Sequence, residues 1–156
     1  SLVLCDAPMG FKDFTKSDRE KFIRLRRKPI EDGMDLTTMA VNIADTLIGN
    51  KSNKLAYNQL VESMHKLHKE TYLKAIDTFV KSVHYNIFPK LDIPVLVLVG
   101  ELDNLTPVSM AKEISSKIDG SIFKIIPNAG HLSNIENPGE FNMAVLNFLS
   151  QIGKNI

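Results

Sequence analysis

The chain has a single cysteine, Cys5, so no internal disulfide framework can hold it together. Charge of one sign is scarce as well. The 19 Lys+Arg and 18 Asp+Glu leave a formal net charge of +1, which argues against a nucleic-acid partner, because phosphate binding needs a clustered positive surplus. Long apolar runs are missing too: the longest, Ile93–Val99, contains Pro94 and falls far short of the ~20 residues a spanning helix needs. No membrane partner is expected. The N-terminus does not read as a leader, although a chain that opens on Ser1 rather than Met can have lost one. A reducing, cytoplasmic setting is therefore the default expectation. No internal repeat or low-complexity tract is present. What the chain does have is 156 residues, 44% hydrophobic and 24% charged, an ordinary globular composition. That length can bury about 70% of its unfolded surface in one domain.

Three segments follow from the patterning: a first core strand and turn over 1–10, a helical stretch over 11–90, and a C-terminal core over 91–156. Leu2-Val3-Leu4-Cys5 reads as a strand buried on both faces, ending at Asp6 and the turn-prone Ala7-Pro8-Met9-Gly10. Such a strand needs neighbours on both flanks, so the chain is expected to be part of something longer. Lys16 to Lys28 reads as a charged helix stopped by Pro29. From Lys12 to Lys28 there are eight Lys or Arg and three acids, a surplus that fits a solvated helix face better than an anion-binding patch. Asp35 caps a helix with Leu36, Met39, Ala40, Ile43 and Leu47 at helical spacing, and Gly49 reads as its stop. Leu60, Met64 and Leu67 mark a third helix. Tyr72, Ile76, Phe79 and Val83 mark a fourth.

From Ile93 the texture changes. Ile93 to Gly100 is a nearly unbroken β-branched and leucine run, the signature of a parallel strand covered on both faces. Thr106 and Pro107 open a helix through Met110, Ala111, Ile114 and Ile118 that Gly120 ends. Ser121–Ile126 is the next strand. Asn137, Pro138 and Glu140 start a last helix bearing Phe141, Val145, Phe148, Leu149 and Ile152. Strand, helix, strand, helix means a parallel sheet whose chemistry lies at the carboxyl ends of its strands.

At those ends stand Asp103, after the first of the two strands, and His131, after the second. They are 28 residues apart, one strand-helix-strand unit, so their loops neighbour one another and point the same way. A carboxylate there can accept the imidazole Nδ1–H and stabilise the imidazolium formed when Nε2 takes a proton. Taken singly, an Asp after a strand is as well explained as a turn residue, and Gly-His as a turn with a solvent-facing ring.

In this order the residues resemble the C-terminal part of the α/β-hydrolase superfamily, which shows an I-P-x-L-x-x-x-G-x-x-D-x-x-x-P stretch, then an A-G-H loop and E-x-P. The counterparts are Ile93-Pro94, Gly100, Asp103 and Pro107, then Ala129-Gly130-His131 and Glu136-Asn137-Pro138. The resemblance, closest to small ester, lactone and carbon–carbon bond hydrolases of the enol-lactonase type, implies an α/β fold. It implies three strands from the C-terminal portion of the family's parallel sheet, with helices and an inserted helical lid. Asp103 and His131 would be the acid and base of a catalytic triad acting on a small acyl substrate, with no cofactor.

The family's G-x-S-x-G elbow is absent, since no serine here has glycines two places before and two after. The nucleophile would then lie upstream of this chain, the fragment alone would be inactive, and the N-terminal part of the fold, or self-association through Leu2–Asp6, would cover the first strand. An upstream Asp in place of the serine would point to dehalogenase-type chemistry. The alternative is a catalytically silent member of the fold that binds a ligand or partner. Ser133 reads as a loop hydroxyl. His65 and His68, three apart on a helix, read as surface positions and not as a metal pair, so no metal site is expected. His84 reads as a helix end and Cys5 as a buried strand residue. Met9, beyond the first strand, is expected to face the substrate pocket.

Overall fold

The computed structural model describes residues 1–10, 15–81 and 86–153. Its strands are β1 (Leu2–Cys5), β2 (Val95–Gly100) and β3 (Ile122–Ile126). Between β1 and β2 lie α1 (Lys16–Glu31), α2 (Leu36–Leu47), α3 (Lys54–His65) and α4 (Lys69–Phe79), then a 3-10 turn at Phe88–Lys90. Helix α5 (Val108–Ser116) joins β2 to β3, and α6 (Ser133–Glu136) and α7 (Pro138–Gly153) follow. None of the described helices is long and apolar enough to cross a membrane.

The three strands form one parallel sheet in the order β1-β2-β3, with Leu2 opposite Val95 and Leu96 opposite Ile122. β2 is central and every one of its residues is buried, which is why it reads as an unbroken apolar run. The two-residue period of a strand divides its side chains between two layers. Val95, Val97 and Val99 pack with Ala111, Ile114 and Ile118 around α5, joined by Leu2 and Leu4 from β1. Leu96 and Leu98 pack on the other face with Phe148, Ile126 and Ala129, joined by Val3 and Cys5. The helices before β2 bury a core of their own, with Ile30, Met39, Ala40, Ala44 and Leu60 at its centre and Leu132 and Ile135 packed against it. That segment is therefore a separate layer resting on the loop that carries His131.

Several local expectations need correcting. Pro29 does not stop α1, which runs on to Glu31. The ring removes only its own N–H from the ladder one turn before the end, Asp32 N–H still donates to Lys28 O at 2.8 Å, and the fully buried Ile30 fastens the last turn. Gly49 is not a left-handed stop either. Helix α2 ends in an extended Ile48, and Gly49 is small because a Cβ there would sit 2.7 Å from Gly130 N and 2.7 Å from Leu102 Cβ. Leu67 lies past the end of α3 and is exposed, while Val83 falls outside the described residues. Thr106 does not cap α5, whose N-cap position is Pro107 with no side-chain bond, because its hydroxyl is engaged elsewhere. The short helix α6 is an addition that the hydrophobic pattern does not announce.

Gly100, at the end of β2, shows how tightly the sheet's end meets the next loop. A Cβ there would lie 2.1 Å from Gly130 O and 2.4 Å from Ala129 O, both backbone. Gly139, near the start of α7, has nothing closer than 3.9 Å. Gly100→Ala is expected to lower stability by about 3 kcal/mol, since only backbone movement relieves the clash, whereas Gly139→Ala should raise it by about 0.5 kcal/mol through helix propensity. Urea unfolding of both variants checks the contrast.

Candidate active site

Two loops leave the sheet side by side, because β2 and β3 are adjacent and parallel. They are fastened to one another: Glu101 N–H donates to Ile126 O at 2.9 Å, Leu102 N–H to Ala129 O at 2.8 Å, and Asn128 N–H to the Glu101 carboxylate at 3.0 Å. Asn128 takes φ 55° to make its turn, a conformation asparagine tolerates better than most side chains. The outcome is the pairing anticipated from the 28-residue spacing. His131 Nδ1 stands 3.0 Å from Asp103 Oδ2.

Asp103 is only 4% exposed, so its lone pairs must be filled from within the protein. Oδ1 accepts the N–H groups of Leu105 at 2.8 Å and Thr106 at 2.9 Å. Oδ2 accepts the Thr106 hydroxyl at 2.6 Å and faces the imidazole. Burial pushes the carboxyl's pKa up, but the hydrogen bonds from His131, the Thr106 hydroxyl and the Thr106 amide, together with the charge of His131, outweigh it and hold the group below the ordinary carboxylate range. Thr106 Oγ1 lies 3.0 Å from His131 Nδ1 and 3.0 Å from Asp6 O as well. A proton on Nδ1 is therefore shared between a carboxylate and a hydroxyl oxygen, which fixes that tautomer and leaves Nε2 for the other side of the ring.

Two more buried acids hold the loops in place. Asp6, at the end of β1 with φ 46°, accepts Gly100 N–H at 2.9 Å on Oδ1, and Ser133 N–H at 3.1 Å and Ser133 O–H at 2.7 Å on Oδ2. These bonds offset a backbone conformation that costs a residue with a side chain about 1 kcal/mol. Glu136 accepts Gly130 N–H at 2.8 Å on one oxygen, and Gly49 N–H at 2.9 Å and Asn50 N–H at 3.1 Å on the other. Its backbone carbonyl takes the Asn53 amide at 2.9 Å. With His131 N–H donating to Leu47 O at 2.8 Å, the end of α2 and the histidine loop form a single hydrogen-bonded unit.

His131, Thr106 and Leu105 line a cavity of about 550 Å³ whose other walls include Arg26, Tyr72 and Pro8. Met9 is not on its wall, contrary to the expectation. It packs against the cluster around Val97 and Ile114, while its neighbours Pro8 and Gly10 line the cavity, because an extended stretch sends successive side chains to opposite sides. Ser133 is fully buried and donates to Asp6. Burial, followed by the charge of Asp6, pushes the Cys5 thiol up to about 12, so it stays protonated and inert at neutral pH. His65 ends α3, with Nδ1 2.9 Å from the Thr37 hydroxyl, and His68 precedes α4. They flank a turn instead of sharing a helix face. Among the described residues no group of three His, Cys, Asp or Glu could hold a metal ion. His84 lies outside the described residues.

In sequence Thr106 reads as a helix cap, Glu136 as part of a motif and Asp6 as a strand end. An acid directly after a buried strand, or two residues before a helix and six after the glycine of a turn, is the signal that marks the latter two.

This architecture and pairing define a class. The sequence profile of the alpha/beta hydrolase fold family matches residues 10–138, and the chain belongs to that family. It is 30% identical over 139 residues to a 2-hydroxy-6-oxo-6-(2'-aminophenyl)hexa-2,4-dienoic acid hydrolase from Metapseudomonas resinovorans, spanning 89% of this chain and 43% of that protein. Its fold is similar to a thermophilic esterase from Thermogutta terrifontis, with TM-score 0.84 and 21% identity, covering 96% of this chain and 55% of the other. It is similar as well to an enol-lactonase from Burkholderia xenovorans LB400, with TM-score 0.79 and 18% identity, over 95% of this chain and 55% of that one. The chain thus spans about half the length of these relatives.

Glu136 supplies the test of how the loop is held. An amide at this position accepts on one side only and turns its NH₂ toward backbone donors, so Glu136→Gln should cost about 2–3 kcal/mol. Glu140→Gln, at an exposed position in the first turn of α7, should cost no more than about 0.5 kcal/mol. Thermal unfolding of the two variants reads the difference.

Proposed function

We propose that this chain is the acid-and-histidine half of a hydrolase acting on an ester-like or lactone carbonyl, or on an activated carbon–carbon bond. The nucleophile comes from residues N-terminal to Ser1. The observation that carries the reading is the buried Asp103 carboxylate 3.0 Å from His131 Nδ1, with the imidazole on the wall of a largely apolar cavity. Hydrolases among the relatives support the same class.

Chemistry follows from which nitrogen is free. With Nδ1–H held by Asp103, Nε2 takes the proton of an incoming hydroxyl nucleophile as its oxygen bonds to the substrate carbonyl carbon. The imidazolium then faces the Asp103 carboxylate, which stabilises the charge and keeps the ring from turning. As the tetrahedral intermediate collapses and the bond to the leaving group breaks, Nε2–H returns its proton to that group. Water, deprotonated by the same nitrogen, releases the acyl product and restores the nucleophile. Residues 1–156 supply the base, its orienting acid and much of the cavity wall. The oxyanion donors and the nucleophile belong to the other half. That half would also cover β1, which pairs only with β2 among the described strands; a second copy of the chain joined through Leu2–Asp6 is the competing cover.

Residues 1–156 alone should not hydrolyse p-nitrophenyl esters above background. The N-terminal part, produced separately, should co-elute with them and restore turnover. In the full-length protein His131→Ala should lower kcat by about three orders of magnitude or more, and Asp103→Asn by a comparable or smaller factor. Turnover that persists in His131→Ala would overturn the assignment.

A further inference from the structure

Among the described residues the cavity is polar at two places. One is the Thr106–His131 edge already described. The other lies on the helical layer, where Arg26 and Tyr72 join a wall otherwise built from side chains such as Phe22, Ile43, Ile76 and Phe79. Arg26 belongs to the basic stretch of α1, where some of the other bases meet acids: Arg27 pairs with Glu31 at 2.6 Å and with Asp77, Lys28 with Asp32 at 2.8 Å, and Lys16 approaches Glu20 at 3.9 Å. Among the described residues Arg26 has no acidic partner. Its guanidinium carbon instead lies 3.9 Å from the centroid of the Phe22 ring, a cation–π contact that orients the group without neutralising it.

A half-buried cation without a counter-charge is destabilising by itself. Burial draws the Arg26 guanidinium below its ordinary pKa range, with Tyr72 opposing, and it pushes the Tyr72 phenol up. The Tyr72 phenol therefore keeps its proton, and the guanidinium, whose ordinary range is far above neutrality, keeps its own; both are hydrogen-bond donors drawn out of water beside an apolar space. A guanidinium offers parallel N–H donors that match a carboxylate fork to fork. Among the described residues no second Lys or Arg lines the cavity, which suits a group of a single negative charge.

We propose that the substrate of this site is an acyl compound with a carboxylate at the end remote from the scissile bond, held by Arg26 against the face of Phe22 with Tyr72 beside it while its reactive carbonyl lies at His131. This rests on the hydrolase reading above and adds the charge of the substrate to it. Arg26 is then a specificity residue of the helical layer, and the basic stretch of α1 contributes a single binding group to an otherwise solvated face.

The test uses the full-length protein and two matched pairs of probes. In turnover, mono-p-nitrophenyl succinate is compared with p-nitrophenyl butyrate. In binding, measured calorimetrically on His131→Ala so that catalysis plays no part, succinanilic acid is compared with butyranilide. The acidic member should be favoured by about tenfold or more in kcat/KM and in affinity, the range of a charge-assisted hydrogen-bond pair. Arg26→Gln should collapse both ratios toward one, with Arg26→Lys intermediate. An equal change of both members of a pair in Arg26→Gln, or no preference for the acid in the unmodified site, overturns the proposal. Absence of turnover with the affinity ratio intact would instead overturn the hydrolase reading and leave the carboxylate site standing.

Discussion

A carboxylate with almost no solvent contact is tolerated only if every lone pair finds a donor, and at Asp103 two backbone amides, a hydroxyl and an imidazole supply them. Each of those donors also fixes something else. The amides of Leu105 and Thr106 shape the turn leading into α5, the hydroxyl holds Thr106 between β1 and the histidine, and the imidazole is set in one tautomer. Desolvation alone would favour the neutral acid. The donors reverse that preference, so the site keeps a negative charge where an imidazolium can use it.

Around this pair the structure spends two more buried acids on backbone. Asp6 ties the end of β1 to Gly100 and to Ser133, and Glu136 ties Gly130 to Gly49 and Asn50. Glycine is what allows the second of these ties. At Gly49 and Gly130 two backbones approach so closely that a Cβ on Gly130 would lie 2.4 Å from Gly49 N. The helical layer is thus linked to the histidine loop by main-chain contacts, and movement of α2 and movement of His131 are coupled by construction. The cavity has one wall on that layer and the other on the loops at the carboxyl ends of the strands and the start of α5.

The sequence discloses those features that depend on local pattern. β2 and β3 show as apolar runs, α5 and α7 as helical periods, and the spacing of Asp103 from His131 follows from one strand-helix-strand unit. What stayed hidden depends on partners distant along the chain. Pro29 sits inside α1 because burial of Ile30 outweighs one lost hydrogen bond. Thr106 looks like a cap because threonine before proline usually is one, and only the fold brings it Asp6 O and His131. Met9 follows Pro8 toward the cavity in number but not in direction. Nothing in the sequence separates Arg26 from the seven other bases of its stretch; only the fold puts it on the cavity wall.

The chemistry of the site turns on Asp103 holding His131 in the tautomer that leaves Nε2 free. Long-range ¹⁵N–¹H correlation NMR on the imidazole-labelled full-length protein, at a pH where the ring is neutral, reads that tautomer directly. A protonated Nδ1 and an unprotonated, pyridine-like Nε2 are expected at His131, with the preference lost in Asp103→Ala. A proton found on Nε2 in the unmodified protein, with Nδ1 bare beside the carboxylate, would contradict it.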